Sequence, residues 1–130
     1  LSLLPKVLPA PPGLEIAVYT KTATEVGGDY YDFHLASDGT LTTAIGDATG
    51  HGARAGTMVA VIKSLFSAHG SRQALTAFLS EAAQTIKGME LKRMAMALAL
   101  ARAFASCASF VACAASCSAL RRRSIVFLNK

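Results

Sequence analysis

Two aspartates, Asp29 and Asp47, each stand directly after a glycine, in the runs EVGGDYYDF and IGDATGHG. Both runs read as strands joined through one hairpin, because Asp38-Gly39 lies between two strand-like segments and is a strong hairpin signal. Antiparallel neighbours can bring two such carboxylates to one site. Asp47 also stands where a strand gives way to a Gly-rich turn, which frees turn carbonyls such as that of Ala48 to act as ligands. Carboxylate, carbonyl and water together suit Mg²⁺ or Mn²⁺, hard cations that take oxygen ligands. The competing reading is that both acids are solvated turn or strand-end residues, a role Asp fills readily.

Other chemistry is weakly signalled. GDATGHG precedes a helix and invites a phosphate-loop reading, but it lacks the G-x-x-x-x-G-K-[ST] lysine and is not G-x-G-x-x-G. His51 can be read as a ligand or proton shuttle, or simply as the start of the helix. The three cysteines, Cys107, Cys113 and Cys117, are spaced C-x5-C-x3-C with no His nearby, which matches no common zinc pattern. Their odd number and absence from the first 106 residues argue against a disulfide framework and for reduced thiols in a cytoplasmic protein.

The elements that must position these residues follow from the hydrophobic pattern. Residues 1–13 hold all four prolines and read as an extended linker. Residues 14–20, 28–36 and 40–46 read as strands, and 47–52 as a Gly-rich loop. A helix is expected over 53–69, with Met58, Val59, Ile62, Leu65 and Phe66 on one face. A second is expected over 71–87, capped by Ser71, with Leu75, Phe78, Leu79, Ala82 and Ile86 on one stripe and a stop at Lys87-Gly88. Residues 93–102, in which large residues alternate with Ala, read as a buried strand. The character then changes. Residues 103–120 are uncharged and hold seven Ala, four Ser and three Cys, followed by Arg121-Arg122-Arg123. This tail reads as a bland helix or a poorly folded segment. Its 18-residue run touches the lower length limit of a membrane span, but Ala, Ser and Cys carry little apolar area, so no membrane association is expected.

The 130 residues suffice for one domain, and 52% apolar against 16% charged residues excludes wholesale disorder. The first residue is Leu, so the chain is read as a piece of a longer polypeptide. The net charge of +5 hides an asymmetry. Residues 15–47 hold six acids and one base, a balance of −5, whereas residues 54–130 hold eleven bases and two acids, a balance of +9. An acidic first half is what a cation site needs. Nucleic acid is not an expected partner of the basic half, since aromatics are only 7% and none of the binding motifs interleaves with the bases.

The run LLP-x(8)-GLEIA, then ATEVGGDYYDF, then DG-x-L-x-x-x-IGDATGHG-x-x-AG-x-MV resembles the metal-dependent (PPM-type) serine/threonine phosphatases. More narrowly it is similar to the bacterial branch that contains the sporulation stage II protein E (SpoIIE) and the phosphatases that regulate stress sigma factors. The resemblance covers about residues 3–102. It implies an α+β fold, here the N-terminal half of an α-β-β-α sandwich over residues 14–102, followed by an aberrant tail over 103–130. It implies two Mn²⁺ or Mg²⁺ ions. Asp29 would ligate one and Asp47 would bridge both, helped by the Ala48 carbonyl, with Asp32, Gly46, Gly50 and His51 as supporting positions. A metal-activated water would then hydrolyse phosphoserine or phosphothreonine on a bacterial regulatory protein of the anti-sigma factor antagonist type, in the cytoplasm and under an upstream sensor domain.

The chain departs from that pattern after MALALAR. The later aspartates that complete the family's metal site have no counterpart, since no Asp or Glu follows Glu90. Three classes of function therefore stand beside one another: the phosphatase, a catalytically dead remnant or interaction module of the same half-fold, and a membrane-anchored regulator resting only on residues 103–120.

Overall fold

A computed structural model of the chain describes residues 3–11, 14–18, 27–70, 72–91, 94–104, 110–115 and 125–129. Alternating, strand-favouring residues build β1 (Leu14–Val18), β2 (Gly27–Leu35) and β3 (Leu41–His51). Two helices follow, α1 (Ala53–His69) and α2 (Leu75–Gly88), and then β4 (Met96–Ala103), β5 (Phe110–Ala115) and β6 (Ile125–Asn129). Strands β2-β3-β4-β5 form one antiparallel sheet in that order, and β1 pairs with β6 in a second, two-stranded one.

The β2–β3 hairpin closes over residues 37–39. Gly39 N–H donates to the Ala36 carbonyl (3.0 Å) and Ala36 N–H to the Thr40 carbonyl (2.9 Å), with Gly39 at φ +82°. This is a type I turn followed by a left-handed residue that only Gly adopts without strain. The Asp38 carboxylate accepts the Thr40 N–H at 2.9 Å, which lowers its pKa. The turn contact is therefore complete above the ordinary carboxylate range and is lost as pH falls through the lowered value.

Strand alternation then assigns two faces. Tyr30 and Asp32 of β2, Thr42 and Ala44 of β3, and Leu98 and Leu100 of β4 are buried on the face covered by the helices. Asp29, Tyr31 and Phe33 share the other face with Thr43, Ile45 and Asp47, and with Ala97, Ala99 and Ala101. The helices lay Val59, Ile62 and Phe66 of α1 and Leu75, Phe78 and Ala82 of α2 into one core with Tyr30, Leu98 and Leu100. The stripes match the predicted ones, with Leu65, Leu79 and Ile86 half-buried at their margins. Phe66 and Phe78 meet edge to face at 5.9 Å, and Gly70 follows α1 at a position where a side chain would overlap the Phe66 ring.

Three expectations are corrected. Residues 47–51 are the bulged end of β3, where a free loop was expected. α2 starts at Leu75 and lacks a side-chain cap, where a helix capped by Ser71 was expected; Ser71 itself lies outside the described residues. The reason is visible in Arg102, whose guanidinium donates to the carbonyls of Gly70 and Gln73 (both 3.0 Å) and to Thr42 Oγ1 (3.0 Å). Those carbonyls hold the turn open between the helices. Residues 110–115 of the tail form a strand on β4, where a helix or poorly folded segment was expected. An uncharged segment without Pro can pair with the open edge that β4 offers. The remaining tail residues, 105–109, 116–124 and 130, lie outside the described ones. Residues 3–11 form neither helix nor strand, but Leu3 and Leu4 pack against the core.

Phe78 is fully buried at the centre of that core. Phe78→Ala is expected to cost about 3–5 kcal/mol in urea denaturation. Val7→Ala, at a position 81% exposed, is expected to stay within about 0.5 kcal/mol.

Candidate metal centre

The hairpin register places Asp29 directly opposite Asp47. Register partners in an antiparallel pair carry their side chains on one face, with α-carbons roughly 4.5–5.5 Å apart. Asp29 is half-buried and Asp47 exposed, so the pair opens toward solvent at the end of the strands. Beyond it the ladder is interrupted. Gly27 pairs with His51, so Gly28 alone stands opposite Ala48, Thr49 and Gly50. This bulge turns β3 away from its partner and strengthens the local twist.

Each glycine in this segment has its own physical reason. A methyl group on Gly28 would overlap the Ala48 carbonyl oxygen, so the absence of a side chain lets that carbonyl lie against the backbone of β2. Gly50 and Gly52 take φ of +84° and +77°, which carries the chain through the bulge and into α1. Gly46 is different from the expected loop-folding glycine. A methyl group there would sit 2.5 Å from Met96 Cε and 3.0 Å from the Ala97 carbonyl oxygen, so its role is to admit β4.

Asp32 is not brought to the Asp29–Asp47 pair. It lies on the helix-facing side, 7% exposed, with Oδ2 paired to Lys63 Nζ of α1 at 2.8 Å and Oδ1 accepting the Phe33 N–H at 3.0 Å. The Tyr30 hydroxyl reaches the same Oδ2 at 3.4 Å, and burial, reinforced by that carboxylate, pushes the Tyr30 phenol far up, so it stays protonated. Asp32 therefore anchors α1 to β2. His51, at the exposed end of β3, ends the strand opposite Gly27.

Sequence reasoning missed Lys63, although it is the one charged residue between positions 55 and 68 and faces Asp32, the one buried acid among the described residues. It also missed Thr49, whose N–H donates to the Ala95 carbonyl (2.8 Å) and whose Oγ1 accepts the Ala95 N–H (2.9 Å). Nothing in the spacing signals a contact 46 residues distant. Behind it, between α2 and the start of β4, lies an apolar groove of about 750 Å³ bordered by Leu79, Ile86, Leu91, Met94 and Met96.

The chemistry of the donor set fits a hard divalent cation: two carboxylates from facing strands, with a main-chain carbonyl one residue further on. The number of donors is small. Among the described residues, no group of three or more His, Cys, Asp or Glu is placed to hold a metal ion.

No family model matches the chain, and no curated protein matches it. Solved structures do. One is the crystal structure of the RsbU and RsbW domains of Rv1364c from Mycobacterium tuberculosis, similar over 82% of this chain and 31% of that one, with a TM-score of 0.67 and 21% identity. Another is the SiaA-PP2C domain of Pseudomonas aeruginosa, similar over 62% of this chain and 34% of that one, with a TM-score of 0.51 and 26% identity. The fold is thus similar to that of part of a PP2C-type domain. The chain spans about a third of the length of either solved chain.

Two substitutions test the site's construction. Gly28→Ala must displace the Ala48 carbonyl and is expected to cost about 1–3 kcal/mol in thermal or urea unfolding. Lys63→Met leaves a buried carboxylate without its cation and is expected to cost about 1–3 kcal/mol, of which the double variant with Asp32→Asn recovers a measurable part.

Proposed function

We propose that this chain is the metal-binding part of a protein serine/threonine phosphatase domain, acting on a phosphorylated bacterial regulatory protein of the anti-sigma factor antagonist type. The observation that carries the reading is the direct register of Asp29 with Asp47 at an open strand end. The fold shared with RsbU-containing and SiaA-PP2C structures supports the reaction class and a regulatory protein as substrate. In this reading residues 14–102 are the domain, residues 1–13 link it to an upstream sensor, and residues 103–130 are a tail that adds β5 to its sheet and pairs β6 with β1. The compartment is the cytoplasm. Among the described residues no helix is long and apolar enough to cross a membrane.

Asp29 and Asp47 would hold the ions, two Mn²⁺ or Mg²⁺ in the full site, with the Ala48 carbonyl as a third oxygen donor. Bound in a pair, such ions supply an activated water and neutralise charge on the phosphoryl oxygens. The protein's own part is to keep two negative side chains side by side at an exposed edge. It does so by fixing their backbones in one ladder, with α1 held to β2 by Lys63 and Asp32 on the reverse face.

A second reading, a remnant or interaction module with little turnover, is favoured by the small donor set and by the absence of any Asp or Glu after Glu90. The two readings share the site and differ in rate. Calorimetry with Mn²⁺ is expected to show weak binding that Asp47→Asn abolishes. Hydrolysis of a phosphoserine peptide in millimolar Mn²⁺ is expected barely above background, about 100-fold or more below a domain with both metals seated. Robust Mn²⁺-dependent turnover lost in Asp47→Ala would exclude the remnant reading. Heat of binding unchanged by Asp47→Asn would overturn the metal site itself.

A further inference from the structure

We propose that Thr49 is a positioning residue for the Asp47–Ala48 segment, pinning the bulge of β3 to the chain just before β4; its consequence for cation affinity rests on the metal-site reading above. The bulge leaves Ala48, Thr49 and Gly50 opposite the single residue Gly28, so β2 supplies no one-to-one ladder partner for these three. The regular β3–β4 ladder also stops there, with Ala48 opposite Met96 as its last pair. One residue further on, Thr49 makes a closed two-bond bridge to Ala95. Its N–H donates to the Ala95 carbonyl at 2.8 Å, and its hydroxyl oxygen accepts the Ala95 N–H at 2.9 Å.

The side chain thus replaces the backbone acceptor that an uninterrupted strand would have offered to Ala95. A hydroxyl is the smallest group that can do so from this position, and Ser meets the requirement as well as Thr. Val has the same shape without the acceptor, and leaves the Ala95 N–H to water. Because Gly50 follows at φ +84°, the segment has a flexible residue immediately beyond the bridge. Without the hydroxyl, residue 49 is held to Ala95 by its main-chain bond alone, so the last fixed point before that hinge is weakened. The donor atoms that must be held still, the Asp47 carboxylate and the Ala48 carbonyl, then lie next to the loosened end.

The experiment compares the wild-type chain with Thr49→Val and Thr49→Ser. Backbone amide hydrogen exchange is measured by NMR without metal, and Mn²⁺ affinity from the broadening of amides around residues 29 and 47. Thr49→Val is expected to speed exchange at Ala95 and over 47–51 by roughly five- to tenfold, with exchange in α1 and the melting temperature nearly unchanged. Thr49→Ser is expected to exchange as the wild type does. Mn²⁺ affinity is expected to fall by a similar factor in Thr49→Val and to be restored in Thr49→Ser. Exchange over 47–51 unaffected by Thr49→Val, or equally accelerated in Thr49→Ser, overturns the positioning role whatever the metal does. Accelerated exchange in Thr49→Val, with no Mn²⁺ broadening in any of the three chains, upholds the positioning role and overturns the metal reading.

Discussion

The structure depends first on the register of one hairpin. With Asp38-Gly39 at its turn, β2 and β3 pair so that Asp29 meets Asp47 on one face, while Tyr30 and Asp32 enter the helix-covered face. A slip of one residue would exchange the two sets, since side chains alternate along a strand. It would bury Asp29 against the helices without a cation and turn the phenol of Tyr30 to the other side. The short, glycine-dependent turn and the large apolar contribution of Tyr30 therefore act on the same variable. The carboxylate pair is held by forces that are mostly not its own.

The helix layer follows from that choice. A carboxylate on the core side of β2 requires a cation, and Lys63 supplies it from α1 at 2.8 Å. Two residues further along the sheet, Arg102 donates to Thr42 Oγ1 and to two carbonyls between α1 and α2, which gives the helix pair a second polar tie to the sheet. A third tie, between His69 and Glu81 at 2.8 Å with Gln73 donating to the same carboxylate at 3.0 Å, joins the helices to each other. Apolar packing among Ile62, Phe66, Phe78 and Leu98 provides the bulk of the stabilisation. The polar ties select one arrangement of it.

Much of this was legible in the sequence, for reasons that can be stated. Helix periodicity at Met58, Val59, Ile62 and Phe66 is a long, redundant signal, and the buried positions agree with it. The hairpin and the facing aspartates were legible because turn chemistry is local. What was not legible is whatever depends on distant pairing. The end of β3 looks like a glycine-rich loop until β4 is there to hold Thr49 and to require Gly46. Asp32 looks like a supporting residue of the metal site until Lys63 claims it from the other face. The start of α2 was misplaced because Arg102, more than two dozen residues later in the chain, takes the carbonyls that surround it.

The position of the helices in the chain, between β3 and β4, has a kinetic meaning. Ladder partners in β3 and β4 run from Leu41 with Ala103 to Ala48 with Met96, so every pair closes a loop that contains both helices. The β2–β3 pairs close only short loops around a five-residue connection between Leu35 and Leu41. Loop-closure entropy and contact order then rank the events. The hairpin and the helical pair can form as separate local units. The sheet is completed only when β4 arrives in the gap beside β3, bringing Arg102 and Ala95 together to their distant partners. Until then the inner edge of β3 carries unpaired backbone groups, and the interval before β4 docks is when this chain is most open to pairing with another copy of itself.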